Sequence, residues 1–252
     1  MRWFEVATIW RRELLKFWAD PGLIITSIVV PLMGILILGF GLNKFIKIPG
    51  LDIDYLDFFG PGAIAVLSIG AAMFVGFSII RDKQGYIKEL MVVPISRYSI
   101  LIGKILSEIT TQILTLVASV AVIVFFFLQT DRGLEGIILT ILFMFLIVFG
   151  FSCFGIFISS IFKHAKSYNQ IMVIIIIPVS FLSGAFFPIE GLPTGLQWVA
   201  YANPLTYGVD GIRWALIGFS GIPIGLDIFI LIAFTAVMMV VGVKLFEKGF
   251  KG

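Results

Sequence analysis

Long runs of apolar residues without a single charge constrain this chain more than any other feature. A helix needs about 20 such residues, at 1.5 Å each, to cross a hydrocarbon core of roughly 30 Å. Runs of about that length recur along the 252 residues, and only 13% of the residues are charged. Soluble domains usually carry roughly 25%. The sequence therefore predicts an all-α membrane protein.

The positions of these runs predict six transmembrane helices within a single membrane domain, residues 1–252. The last run is short, but Lys244 can extend to the inner surface and Asp227 can lie among the outer headgroups. No soluble domain or internal repeat is visible. The predicted spans are residues 21–43, 58–80, 100–129, 136–162, 167–189 and 225–246.

Residues 1–20 are predicted to form an amphipathic helix that lies along the membrane surface. At 100° per residue, one broad face carries aromatic and aliphatic side chains and the other carries most of the charges. Ile9 and Arg11 do not fit this division. A helix packed on a protein partner is the alternative. Asp20 offers an N-cap and Pro21 a first helical residue for the first span.

The lysines and arginines predict the orientation. Fourteen of the eighteen lie in the N-terminal arm, the tail, and the connections after the second and fourth spans. The other four lie in segments on the opposite side of the predicted spans. The positive-inside rule then places both termini in the cytoplasm of a multi-pass protein. The net charge of +3 reflects this distribution and does not indicate a nucleic-acid partner.

Residues 190–224, between the fifth and sixth spans, contain many prolines and glycines, which break helices. Their apolar stretches are too short to cross the membrane, so we predict a re-entrant or interfacial segment on the outer face. Asp210 and Arg213, three apart on a possible helix, could pair. The candidate interfacial anchors are Trp198, Tyr201, Tyr207 and Trp214.

Small residues recur at helical spacing within the spans. Ser68, Ala72 and Gly76 follow one another in the second span, and Gly155 precedes Ser159 in the fourth. Such spacing allows helices to approach closely. Tight packing inside the bundle and a subunit interface both fit this pattern.

The sequence carries no sign of its own chemistry. It has no phosphate-binding loop and no nucleophile, base or paired-carboxylate constellation, and Cys153 and His164 are the only residues of their kinds. No charge lies near the middle of a span, where ion-driven carriers usually bind their ion. We predict no catalytic, cofactor or metal site.

One charged stretch, "RDKQGYIKELMVVPISR", stands between the second and third spans, at residues 81–97. If residues 82–91 form a helix, one flank is apolar and needs burial, while the other is polar. A solvated loop is the alternative. The apolar flank consists of Tyr86, Ile87, Leu90 and Met91, and the polar flank of Asp82, Gln84, Lys88 and Glu89.

The longer stretch "RDKQGYIKELMVVPISRYSILIGKIL" resembles the first cytoplasmic loop of ABC-2 type transporter permeases, in particular the daunorubicin-resistance-like branch. The family usually has an acidic-basic pair followed by Gly-Thr, whereas here Gln84 and Tyr86 flank Gly85. Two further regions, "YLDFFGPGAIAVLSI" and "FLSGAFFPIEGLPTGLQWVAYANPLTYGVDGIR", resemble the family as well. The matching positions in the loop are Gly85, Glu89, Leu90, Pro94, Ser96, Arg97, Gly103 and Lys104.

The resemblance implies the permease subunit of an ATP-binding cassette exporter in a prokaryotic-type cell membrane. Such a subunit dimerises, most simply with its own copy, and binds two copies of a separate ATPase subunit, which holds the ATP and magnesium. Family cargo includes lipophilic drugs in multidrug export, lipids, lipid-linked glycans and peptides. The resemblance makes the charged stretch the ATPase-coupling loop, with Asp82, Gly85, Tyr86, Ile87, Glu89, Leu90, Met91, Pro94 and Arg97 as its site residues.

Two other classes of protein would also span a membrane in this way. One is a carrier driven by an ion gradient, and the other is an accessory or scaffolding membrane protein. A Walker-type ATPase encoded beside the gene would separate the exporter from both.

Overall fold

The computed structural model describes residues 3–43, 45, 54–84, 97–126, 132–162 and 164–249. Regular structure in this part of the chain is helical throughout, without strands, which confirms the all-α class. A single 3-10 turn occupies Ile189–Gly191. The α-helices are α1 (Trp3–Trp18), α2 (Pro21–Asn43), α3 (Tyr55–Gln84), α4 (Arg97–Phe126), α5 (Gly133–Ile161), α6 (Ala165–Phe181), α7 (Thr194–Ala202), α8 (Pro204–Ile217) and α9 (Ile224–Gly249).

Helix α5 lies at the centre of the bundle, because it packs against α3 on one side and α9 on another. These three helices contain the stretches that are long and apolar enough to cross a membrane: Tyr55–Arg81, Gly133–Ile161 and Ile224–Gly242. Shorter apolar stretches lie in α2, α4 and α6. The core is aliphatic and aromatic, with residues such as Ile147 and Phe143 almost fully buried.

Small residues let α3 and α5 approach closely. A Cβ atom added at Gly76 of α3 would overlap the backbone carbonyl of Gly155 in α5 and the hydroxyl of Tyr168 in α6. That hydroxyl donates a 2.7 Å hydrogen bond to the Met73 carbonyl of α3. Of the two interpretations that the sequence allowed for these small residues, the structure supports packing inside the bundle.

Helix α1 packs along α4. Ile9, which did not fit the predicted amphipathic division, is buried against Gly103, where a side chain on the glycine would meet Val6 and Ile9. The Trp10 indole N–H donates a 3.1 Å hydrogen bond to the Thr110 hydroxyl. Helix α4 covers only part of the apolar surface of α1, and several large apolar residues of α1 stay exposed. These are Trp3, Phe4, Leu15 and Trp18.

The fifth apolar run continues to residue 189, but α6 ends at Phe181. Gly184 then takes a φ of +76°, a left-handed conformation that suits glycine and turns the chain away from the helix axis. We call residues 182–223 the crown. The crown contains the 3-10 turn, α7 and α8.

Helix α8 carries most of the crown's packing, because it contacts α3, α5 and α9 together. Asn203 caps its start by accepting a hydrogen bond from the Leu205 N–H, and Pro204 follows as the first helical residue. The Asn203 amide also donates to the Val179 carbonyl at 2.7 Å. Gly218, with a φ of +69°, ends the helix. These bonds hold the crown on the end of α6.

Candidate functional site

The coupling-loop residues lie mostly outside the described part of the chain. Asp82 is in the last turn of α3, and Arg97 is the first residue of α4. Gly85, Tyr86, Ile87, Glu89, Leu90, Met91 and Pro94 fall in the undescribed stretch 85–96. The structure thus gives the two helices that frame the loop, and the contacts of its residues remain a prediction.

Helix α1 packs near this loop. Its contact at Gly103 is only six residues after the start of α4 at Arg97. The exposed aromatic residues of α1 and the charged loop therefore belong to the same end of the bundle. The crown lies at the other end of the bundle, next to the start of α3 and the end of α6.

The crown encloses a cavity of about 570 Å³, against Phe58 near the start of α3. Cavities of roughly 300–1,000 Å³ are typical of small-ligand sites. Among the lining residues, Ser183, Thr206, Asp210 and Arg213 are buried. This cavity brings polar and charged side chains together at one end of an otherwise apolar bundle.

Arg213 joins three segments around the cavity. Its Nη2 donates to the Gly184 carbonyl at 2.9 Å and to the Phe58 carbonyl at 3.4 Å. The guanidinium carbon lies 3.9 Å from the centroid of the Phe58 ring, within cation–π range. Burial lowers the pKa of Arg213 to about 10, against the opposing effects of Asp210 and Glu190, so the side chain stays cationic at neutral pH.

Asp210 organises the loop that follows α8. One carboxylate oxygen accepts the Gly221 N–H at 2.9 Å, and the other accepts the Ile222 N–H at 3.1 Å and the Ser220 hydroxyl at 2.9 Å. These three donors surround the negative charge and replace the water that it loses on burial. Asp210 is therefore a structural anchor of the crown.

The expected pairing of Asp210 with Arg213 is not found. In the described residues, no ion pair joins the two side chains, although they line the same cavity. Asp210 binds backbone N–H groups of the loop after α8, whereas Arg213 binds carbonyls of α3 and of the turn after α6. The nearby loops supply backbone partners that the helical spacing alone could not reveal.

Asp227 is more deeply buried than the sequence suggested. It was expected among the outer headgroups, but it is 0% exposed, in the first turn of α9 and next to Asp210. Neither of its oxygens accepts a hydrogen bond within the described ranges. The reason is that the crown covers the start of α9.

Two of the four candidate interfacial anchors are exposed and two are not. Trp198 and Tyr201 remain exposed on α7. Tyr207 is buried, with its hydroxyl bonded to the Tyr201 carbonyl at 2.7 Å. Trp214 is partly buried beneath the guanidinium of Arg132, whose carbon is 3.9 Å from the ring centroid. The Tyr207 bond joins α7 to α8 within the crown, and the Trp214 contact joins the crown to the start of α5.

Sequence reasoning singled out Asp210 and Arg213 but missed the cavity and the roles of Phe58, Ser183 and Thr206. The Pro- and Gly-rich composition of residues 190–224 was the available signal for a non-spanning structure. Nothing in the sequence indicated that Phe58, far away in the chain, would form one wall. Among the described residues, no three His, Cys, Asp or Glu side chains group as metal ligands would.

Comparison with known proteins agrees with the architecture. The chain is 26% identical to ycf38 of Cyanophora paradoxa, named as a transport permease, over 97% of this chain and 88% of that protein. It is 23% identical to the inner membrane transport permease YadH of Escherichia coli K12, over 98% and 96% of the two chains. It is 24% identical to the daunorubicin resistance ABC transporter permease protein DrrB1 of Streptomyces coeruleorubidus, over 77% and 70%.

The sequence model of one family covers most of the chain, from residue 5 to residue 217. This range includes the stretch proposed as the coupling loop, helices α3 and α5, and the crown as far as the end of α8, but not α9. The helical bundle with apolar spans is what a membrane subunit of such a transporter requires. The chain therefore belongs to the ABC-2 type transporter family, as a membrane subunit of an ABC transporter.

Proposed function

We propose that this chain forms the translocation pathway of an ATP-binding cassette exporter as a homodimer, with six spans in each copy. Two copies of a separate ATPase subunit drive it, and the cargo is a lipophilic or lipid-linked molecule. The observation that carries the proposal is the family match over residues 5–217, since family membership implies an ATP-binding partner subunit. The exposed apolar faces of α2 and α6 leave room for a second copy.

The coupling loop is the proposed docking site for the ATPase. It connects α3 and α4, so a force applied to it acts on both helices. Its apolar flank, with Tyr86, Ile87, Leu90 and Met91, supplies the surface that a partner would bury. The exposed aromatic residues of α1 lie at the same end, which suits a helix at the surface of the cytoplasmic leaflet.

An ion-gradient carrier is less well supported by the structure. Carriers place ionisable groups or broken helices near the middle of the membrane. Among the described residues, the buried charged side chains are Asp210 and Arg213, in the crown, and Asp227, in the first turn of α9, all at one end of the bundle. The central contacts of α3, α5 and α9 are made by apolar and small residues.

The proposal is tested by producing the chain with and without an ABC ATPase encoded beside its gene. We expect the purified chain alone to show no ATP hydrolysis, and the two proteins to copurify and hydrolyse ATP. In proteoliposomes, the complex should move a lipophilic cargo in an ATP-dependent manner. Transport by the chain alone, driven by a proton or sodium gradient, would contradict the proposal.

The proposed orientation, with both termini and the coupling loop in the cytoplasm, can be tested by cysteine labelling in intact cells. Lys166 and Glu190 are both exposed; Lys166 lies in the first turn of α6, and Glu190 lies beyond its other end. We expect an impermeant thiol reagent to label Glu190→Cys and to leave Lys166→Cys unlabelled. The native Cys153 is buried and can stay in place. Labelling of Lys166→Cys alone would show that the orientation is the opposite of the one proposed.

A further inference from the structure

We infer that the crown cavity binds the polar head of a zwitterionic amphiphile, with an oxygen acceptor at Arg213 and an ammonium group near Glu190. The site adds to the proposed function and rests on it only in that the crown faces the outer leaflet. The site is part of this chain alone and needs neither the ATPase nor a second copy. Four features of the cavity support it: its size, the arginine in its wall, the balance of charge along its walls and the surface around its mouth.

The cavity has the size of a headgroup. Its volume of about 570 Å³ is too small for a whole two-chain lipid, yet ample for a phosphate and a small amine. Its walls are mixed, since aromatic and aliphatic side chains such as Phe58 and Ile222 alternate with hydroxyl and charged groups. A fully apolar ligand would leave these polar groups without partners.

Arg213 supplies the positive charge of the cavity wall. The residue is only 6% exposed and lines the cavity, and its Nη2 is already bonded to two backbone carbonyls. Its Nε–H is buried and has no acceptor in the described part of the chain. Within the described residues no carboxylate forms an ion pair with this guanidinium, so an anionic oxygen entering the cavity would be attracted to its charge.

The charge of the walls argues against a simple anion. The lining contains one cation, Arg213, and two carboxylates, Asp210 and Glu190. The Asp210 carboxylate is already held by three donors, whereas Glu190 is exposed at the rim. The Ser183 and Thr206 hydroxyls donate to backbone carbonyls, which leaves their oxygens as acceptors. These groups favour a ligand that carries ammonium donors beside its anionic oxygen.

The surroundings favour an amphiphile over a water-soluble zwitterion. Tyr201 lines the cavity and is 41% exposed, and Phe187, beside the lining residue Pro188, is 46% exposed. Trp198, on the same helix as Tyr201, is 74% exposed. Exposed aromatic rings of this kind lie at the level of lipid headgroups. An alkyl chain leaving the cavity would therefore pass along apolar surface.

The inference is tested with the full chain purified in detergent, by titrating lipids and observing the bound species by native mass spectrometry. The probes are short-chain phosphatidylethanolamine, short-chain phosphatidylglycerol and free phosphoethanolamine. The test variant is Glu190→Gln, and the matched control is Glu135→Gln. Glu135 is exposed in the first turn of α5 and does not line the cavity. It lies at the same end of the bundle as the crown, because the neighbouring Gly136 contacts Ala215 of α8.

We expect the native chain to prefer phosphatidylethanolamine. Loss of one partly exposed ion pair in Glu190→Gln should weaken that binding about threefold to fivefold and leave phosphatidylglycerol binding unchanged. Glu135→Gln should behave as the native chain. A second variant, Arg213→Lys, keeps the charge but lacks the planar donor fork, and should lower the affinity for both lipids.

Three results would overturn the inference. These are equal binding of the two lipids by the native chain, equal effects of Glu190→Gln and Glu135→Gln, and free phosphoethanolamine binding as tightly as the lipid. Because no ATPase is present, the outcome is separate from the copurification test. A chain that fails to bind its ATPase could still bind the lipid, and the reverse also holds.

Discussion

Replacing Gly76 with valine is expected to destabilise the bundle strongly. A Cβ atom at this position would overlap the Gly155 carbonyl of α5 and the Tyr168 hydroxyl of α6. The first obstacle is backbone and cannot rotate away, and the second is held by its bond to the Met73 carbonyl. Overpacking of a rigid core costs about 1–3 kcal/mol or more, against a total stability of about 5–15 kcal/mol. We expect a loss of at least about 3 kcal/mol.

The measurement is the yield of monodisperse protein and its melting temperature in detergent, with Gly70→Val as the matched control. Gly70 lies on the same helix, is exposed and has no atom within 4 Å of an added Cβ. The change in helix propensity is the same at both positions. The control should therefore yield native-like protein. Equal melting temperatures for the two variants would show that α3 and α5 do not approach each other closely at Gly76.

Replacing Leu90 with aspartate is expected to leave the bundle intact and abolish transport. Leu90 is on the predicted apolar flank of the proposed coupling loop, between α3 and α4. Burial of a leucine side chain against a partner contributes about 1.5–3 kcal/mol, and a charge at the same place adds a desolvation cost. The affinity for the ATPase should then fall at least about tenfold.

The matched control for Leu90→Asp is Lys88→Ala, on the polar flank of the same loop. Both variants should reach the membrane at native levels, since the proposed coupling loop is expected to lie outside the lipid. Copurification of the ATPase and ATP-dependent transport in proteoliposomes should fail for Leu90→Asp and persist for Lys88→Ala. Normal transport by Leu90→Asp, or its failure to insert, would remove the support for this docking surface.

The central helices of the fold could be predicted because their sequence is extreme. In α3, α5 and α9, charge-free apolar runs leave few alternatives to a membrane span. The small residues Ser68, Ala72 and Gly76 were also recognisable as a surface for close packing. The helix that packs against this surface could not be recognised, because the contact of Gly76 with Gly155 depends on how α3 and α5 cross.

The crown could not be predicted in detail because its contacts join residues far apart in the chain. The end of α6 at Phe181 depends on the left-handed turn at Gly184, inside a run that is apolar on both sides. The burial of Asp227 depends on the crown that covers it. Asp210 and Arg213 have the spacing of a helical ion pair, yet each binds backbone atoms of a different loop.

The hydrogen bond from Arg213 to Phe58 has a mechanical consequence. Helix α3 is continuous from Tyr55 to Gln84, so Phe58 and the start of the coupling loop are the two ends of one rod. At 1.5 Å per residue, that rod is about 40 Å long, close to the full thickness of a bilayer. A tilt imposed on the rod at the loop moves the Phe58 carbonyl and the ring beneath the guanidinium. A partner bound at the proposed coupling loop would therefore be able to act on the distant cavity through this one helix.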